Sequence, residues 1–200
     1  QNAIKNAKTD KEKYNCYWRL SRSYSEVTDY VDTNKKEKIA MTVKGIQMGK
    51  KAKALNPNDI NGIYWTAISI GREAELKGIM KSLKSVKPIK NAMTHILKLD
   101  PDFHRAHFVL SRLYRKAPKI ISVGNPKKAL KSINTALRLD PNESRYLLEK
   151  GLVLKKLKRK KDAKKILTDL VNLPYSPGYF KDTVNKDKEK ATKLLKNLKV

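Results

Sequence analysis

Acidic side chains are scarce in this chain: 19 Asp and Glu stand against 46 Lys and Arg in 200 residues, a formal net charge of +27 at pH 7. A surface of that sign repels cations and attracts anions of every kind, whether nucleic acid, anionic lipid headgroups or an acidic protein. Cysteine is nearly absent. The lone Cys16 excludes an intramolecular disulfide and a multi-cysteine zinc site, and on a helix it reads as a small packing residue. Histidine is limited to His95, His104 and His107. His104 and His107 share a helix face at i,i+3, but a third ligand would have to come from Asp100 or Asp102 in the adjacent turn. Packed or exposed histidines are therefore expected, and no metal site is assigned. The sequence has no glycine-rich phosphate loop and no nucleophile-elbow serine, so it offers no catalytic residue and no cofactor, and a non-enzyme is expected. Aromatics are 7% of the chain, without the aromatic strand pair that reads RNA, and this weighs against nucleic acid. No stretch approaches the ~20 apolar residues of a membrane span.

What the chain does have is a repeated punctuation. Leu99-Asp100-Pro101 recurs as Leu139-Asp140-Pro141, and between the two lie apolar-periodic segments at Ala106 to Tyr114 and Ala129 to Leu137. Proline cannot continue a helix, and it pushes the preceding aspartate out of the α region. A helix, a loop, a helix and a stop is one unit of a helical-hairpin repeat. The expected fold class is all-α: a single domain over 1–200, an α-solenoid of about four cryptic tetratricopeptide-like (TPR-like) hairpins at approximately 10–57, 58–101, 102–141 and 142–174. A loop and a capping helix fill 175–200, because the last hairpin would otherwise expose an apolar face.

In each hairpin the first helix carries a large, large, small, large spacing. Tyr17, Leu20, Ser21 and Tyr24 take it first; Trp65, Ile68, Ser69 and Arg72 second; His107, Leu110, Ser111 and Tyr114 third; Leu147, Lys150, Gly151 and Leu154 fourth. Gly45, Gly49 and Ala52 in the first hairpin's second helix let two helices approach closely. In the second hairpin the first helix is expected to run towards Leu83, with Pro88 marking entry to its partner.

Side chains flanking those signatures should line the inner surface of a hairpin stack. They include Asn15, Trp18, Arg22, Thr66, Ile70, Glu73, Arg105, Phe108, Arg112, Tyr114, Arg115 and Arg145. Arginine recurs there although lysine dominates the chain, and its planar fork suits bidentate binding of carboxylates. Trp18 and Phe108 would supply apolar walls. The competing expectation is that these arginines pair with Glu73, Glu143 or Glu149. A second basic feature is the run around Lys155, Lys156, Arg159, Lys160 and Lys161, which reads first as a solvated turn and alternatively as a patch for nucleic acid or anionic membrane. A phosphate-backbone binder would lose affinity steeply between ~50 and 200 mM salt, whereas a largely apolar groove ligand would hardly respond.

The stretch "SRLYRKAPKIISVGNPKKALKSINTALRLDP" resembles the T component of TRAP transporters, the periplasmic TatT-type proteins. Ser111, Arg112, Leu113, Tyr114, Pro118, Gly124, Pro126, Ala129 and Leu130 stand at the matching positions, and "DKEKATKLL" (187–195) is similar to that family's terminal helix. The resemblance implies a helical protein with a central pore or cleft, in some members a trimer. It implies a periplasmic solute-binding protein as partner, and a small hydrophobic or carboxylate ligand. With it go a periplasmic or secreted, envelope-associated location and a signal removed before Gln1. A binding module is thus expected, held to an acidic protein or peptide or to a groove ligand; peripheral membrane association and a purely structural scaffold are the rival readings.

Overall fold

A computed structural model of the chain describes residues 2–118 and 123–198. All regular structure in them is α-helical, as expected. The helices are α1 (Asn2–Asn6), α2 (Asp10–Val27), α3 (Lys35–Leu55), α4 (Ile60–Lys77), α5 (Ile79–Leu99), α6 (His104–Lys116), α7 (Pro126–Leu139), α8 (Ser144–Lys156), α9 (Lys160–Val171) and α10 (Lys181–Lys196). They form two compact units, Gln1–Pro101 and Asp102–Val200. The division falls on the first "LDP" stop.

In the first unit, α2 starts at a capping box. The Thr9 hydroxyl accepts from the Glu12 N–H at 3.2 Å, and the Glu12 carboxylate accepts from the N–H groups of Thr9 and Lys8 at 3.0 and 2.7 Å. Those backbone donors hold Glu12 below the ordinary carboxylate range. Asn34 and Asp59 cap α3 and α4 in the same way, each accepting a backbone N–H. The helices of this unit meet through small polar side chains. Ser21, Ser25, Thr42 and Ser69 are fully buried; Ser21 donates to the Gly45 carbonyl at 2.8 Å, and the Ser25 and Ser69 hydroxyls lie 2.5 Å apart. At Gly49 a Cβ would sit 3.0 Å from Thr66 Cα and 3.0 Å from Ser21 Oγ, so only glycine allows α3 to approach this closely.

The second hairpin departs from expectation. α4 stops at Lys77 rather than running towards Leu83, because Gly78 takes φ 103°, a backbone conformation other residues rarely adopt. Pro88 does not open the second helix; it lies inside α5 on an exposed face. There its missing N–H removes one internal bond without ending the helix. Cys16 is half-buried, not a core residue.

In the second unit, Asn125 caps α7 by accepting the Lys128 N–H at 3.0 Å, and Pro126 occupies the first turn, where a missing N–H costs nothing. The connection from α6 includes 119–122, part of the stretch that carried the transporter resemblance, which lies outside the described residues. Its end is tight: Gly124 N–H donates to the Pro118 carbonyl, and a Cβ on Gly124 would collide with Ala117 O. Ala129, Ile133 and Ala136 are fully inaccessible, the last two packed with Tyr146 and Phe108. Leu154, Ala163, Leu167, Leu170 and Ala191 form a second cluster, in which Gly151 admits the Leu167 side chain and α10 closes the end of α8 and α9. The small signature residues Ser21, Ser69, Ser111 and Gly151 are all buried. This common position is what makes the four hairpins repeats of one unit.

Candidate interaction surface

The residues expected to line an inner surface separate into those already engaged and those facing outwards. In the first unit, Thr66 is buried, donating to the Gly62 carbonyl at 2.6 Å and packing on Gly49, so it belongs to the helix contact and not to a groove. Ile70 is half-buried. Trp18 donates its indole N–H to Asn15 Oδ1 at 3.1 Å, with the Arg19 guanidinium 5.4 Å from its ring. Arg22 pairs with Glu26 at 2.8 Å and lies 5.5 Å over Trp65. Glu73 is held by Lys77 at 2.7 Å.

In the second unit, Arg115 donates to both oxygens of Glu149, each at 2.8 Å, and Ser111 contributes a longer bond of 3.4 Å. Glu149 is 3% exposed, so this fork is a structural pair inside the unit. Arg145 spends two donors on Glu143, at 3.0 and 2.6 Å. Phe108 stacks on Tyr146 with centroids 4.8 Å apart, and Arg112 covers Phe108 at 5.9 Å. Arg105 and Tyr114 are half-buried. The structure therefore brings Phe108 and Arg112 together, and Arg115 and Arg145 each to a carboxylate of its own. Two shallow, open depressions lie along single helices, one on α10 and one on α5, and neither is lined by any of these residues.

His104 Nδ1 is 2.9 Å from the Tyr146 hydroxyl and 3.6 Å from Asp140, and burial pushes its pKa down despite that carboxylate. Asp140 also accepts from Tyr179 at 2.5 Å, which raises the phenol to about 12. Among the described residues no three His, Cys, Asp or Glu side chains gather where they could hold a metal ion. Asp187, buried on α10 and bonded by Ser144 Oγ at 2.9 Å, is pushed above its ordinary range by desolvation.

The outward-facing chemistry is lysine. α3 carries seven lysines and one glutamate, α5 five lysines and no carboxylate, and α7 three lysines and an arginine without a carboxylate. By contrast α4 is neutral, with Arg72 and Lys77 against Glu73 and Glu75. The second helices of the hairpins thus carry most of the lysine, while on the first helices Arg22, Arg72, Arg115 and Arg145 are spent on internal pairs. None of the α3 lysines meets a carboxylate within ion-pair distance among the described residues; Lys51 instead lies 5.5 Å over Tyr17. Lys155, Lys156, Arg159, Lys160 and Lys161 are exposed around the α8–α9 turn, where Arg159 pairs with Asp162 at 2.7 Å and Lys156 caps the Arg115 carbonyl at 2.7 Å. Sequence reading missed the segregation of lysine onto second helices. The signal was available, since α3, α5 and α7 together contain a single acidic residue, Glu37.

Paired helices with buried small signature residues define a TPR-like helical-repeat protein. A solved structure, a thermophilic TPR protein of Thermus thermophilus, superposes with a TM-score of 0.59 at 19% identity, over 88% of this chain and 82% of that one. The family is narrower: the profile "Regulator of microtubule dynamics protein 1-3" matches residues 1–199, and the chain belongs to that family. Regulator of microtubule dynamics protein 3 of Rattus norvegicus is 30% identical over 95 residues, which is 48% of this chain and 20% of that protein; the Mus musculus protein is 28% identical over the same shares. Regulator of microtubule dynamics protein 1 of Caenorhabditis elegans is 26% identical over 171 residues, 78% of this chain and 75% of that protein. The chain thus spans about a fifth of the length of the two mammalian relatives. The family that matches is not the TRAP-transporter component; what the chain shares with that resemblance is the TPR-like hairpin.

Proposed function

We propose that this chain is a non-enzymatic docking module that holds an acidic protein partner on the lysine face of α3. The observation that carries the reading is the distribution of charge. α3 presents seven lysines that no internal carboxylate neutralises, and such a field raises the local concentration of an acidic partner and its rate of encounter. TPR-like folds commonly serve protein–protein contacts, and the names of the relatives make microtubules the partner to test first. Support for a carboxylate ligand held by Arg115 and Arg145 is weaker, because each already spends its fork on a glutamate. A periplasmic setting rests on the motif resemblance alone, while the relatives are animal proteins.

The test is co-sedimentation with assembled microtubules across a salt series, with tubulin-free pelleting as background. Binding is expected to weaken about ten-fold or more between ~50 and 200 mM salt. Replacing Lys44, Lys50 and Lys51 by Glu is expected to abolish it, while the same exchange at Lys160 and Lys161 lowers it less. Binding unchanged by the α3 exchange defeats the reading.

A further inference from the structure

Two large apolar side chains are out of place in this fold. Ile79 and Met80, at the start of α5, are 80% and 71% exposed, more than Phe180, Tyr175 or Tyr30. They follow Gly78, whose φ of 103° turns the chain sharply out of α4 and which has no neighbour within 4 Å of where a Cβ would stand. The pair therefore sits on a protruding tip. Lys77 and Lys81 flank it, and Met80, Lys84 and Lys87 fall at i, i+4 and i+7 on one face of α5. Lys77 and Lys81 share the buried Glu73, at 2.7 and 4.0 Å, whereas Lys84 and Lys87 meet no carboxylate among the described residues.

Nearby acids do little to cancel this field. Asp29, at the α2–α3 turn, is clamped by both guanidinium nitrogens of Arg72, at 2.5 and 2.7 Å. That clamp sets the α2–α3 turn, with half-exposed Tyr30, beside α4. Asp32, Glu37 and Glu75 are the exposed acids of this unit nearest in sequence to the two turns, fewer than the lysines that α5 alone carries.

From this geometry we propose that the α4–α5 tip docks the protein on a membrane surface containing anionic lipid. Ile79 and Met80 enter the boundary between headgroups and acyl chains, and Lys84 and Lys87 reach the lipid phosphates and carboxylates with their stems laid along the apolar layer. Charge alone would serve an acidic protein or a nucleic acid equally well. The strongly exposed apolar pair at the α4–α5 turn distinguishes a bilayer, because only there is its burial rewarded without a preformed pocket. The lysines invoked are those of α5, not the α3 lysines assigned to a protein partner.

The experiment is vesicle flotation of the full chain, with vesicles of phosphatidylcholine alone and with roughly 30% phosphatidylserine, at near-physiological salt. Binding is expected only to the anionic vesicles. The double variant I79S/M80S is expected to lower the partition coefficient about ten-fold, and K84S/K87S by a similar factor; K160S/K161S, on α9, should leave it near the native value. All the replaced side chains are exposed, so an unchanged helical circular dichroism spectrum certifies the fold. Native binding by I79S/M80S would mean charge attraction alone and would overturn the proposal, as would no binding to phosphatidylserine vesicles or equal binding to neutral ones. Microtubule pelleting of I79S/M80S is expected to be normal; a matching loss there would make the tip a protein-docking surface instead.

Discussion

The two units solve the same packing problem with different chemistry. In Gln1–Pro101, buried Trp65, Met93 and Ile96 supply apolar volume, but α2, α3 and α4 meet through glycine, serine and threonine, whose hydroxyls hydrogen-bond to carbonyls or to each other. In Asp102–Val200 the contacts are leucine, isoleucine and tyrosine around buried carboxylates, with Arg115–Glu149 as an internal ion pair. At these contacts the first unit is limited by the space available, the second by the volume and charge that fill it. Substitutions should therefore fail in opposite directions: enlarging side chains in the first, truncating or unpairing them in the second.

The largest effect is expected at Leu167, fully buried against Gly151. Leu167→Ala should destabilise by about 4 kcal/mol in denaturant unfolding followed by circular dichroism, through lost burial and the cavity left behind. Glu149→Ala should follow at about 3 kcal/mol, because it strands the Arg115 guanidinium, whose side chain is 16% exposed. A loss under about 1 kcal/mol at either position would erase the contrast between the units.

Glycine sharpens it in the first unit. Gly49→Ala is expected to cost about 2 kcal/mol, since the new methyl meets Thr66 backbone at 3.0 Å and the gain in helix propensity of about 1 kcal/mol does not offset it. Gly71→Ala, also within a helix, meets only Ile89 Cδ1 at 3.4 Å and should stabilise by up to about 1 kcal/mol. If both behave alike, close approach is not what Gly49 provides.

The smallest effect is a pH dependence, read at two groups of the second unit. The His104 pKa lies below its ordinary 6.5 because burial disfavours the cation, so the unfolded chain binds the proton more readily. Stability should be present above pH 6.5 and decline as pH falls through 6.5 towards the folded-state value; His104→Gln should flatten that limb. Asp187 works with the opposite sign at lower pH. Its carboxyl is raised above 3.8 in the fold, so the folded state binds the proton more readily and stability declines as pH rises through that window. Asp187→Asn should remove this decline. Urea midpoints measured across the pH range check both signs.

Much of the architecture was legible because its signals are local. Asn125-Pro126 and the recurring Asp-Pro stops set helix ends through backbone chemistry that needs no distant partner, and the spacing that buries Ser21, Ser69, Ser111 and Gly151 is a helical period. Pro88 misled because a single missing N–H is a weaker stop than a glycine at positive φ, and nothing in the sequence states which φ Gly78 adopts. Pairing of the arginines with Glu143 or Glu149 was one of the two expectations the sequence left open, and only the fold could choose between them: Arg115 finds Glu149 34 residues away, and Arg72 finds Asp29 43 residues away. What the sequence by itself determined is the helical-hairpin class, its stops and the sign of its field, because propensity, capping and net charge are properties of short stretches. Tertiary structure alone decided which charges remain outward, why Thr66 is packing rather than lining, and that Ile79 and Met80 protrude, because burial and pairing are properties of residues far apart in the chain.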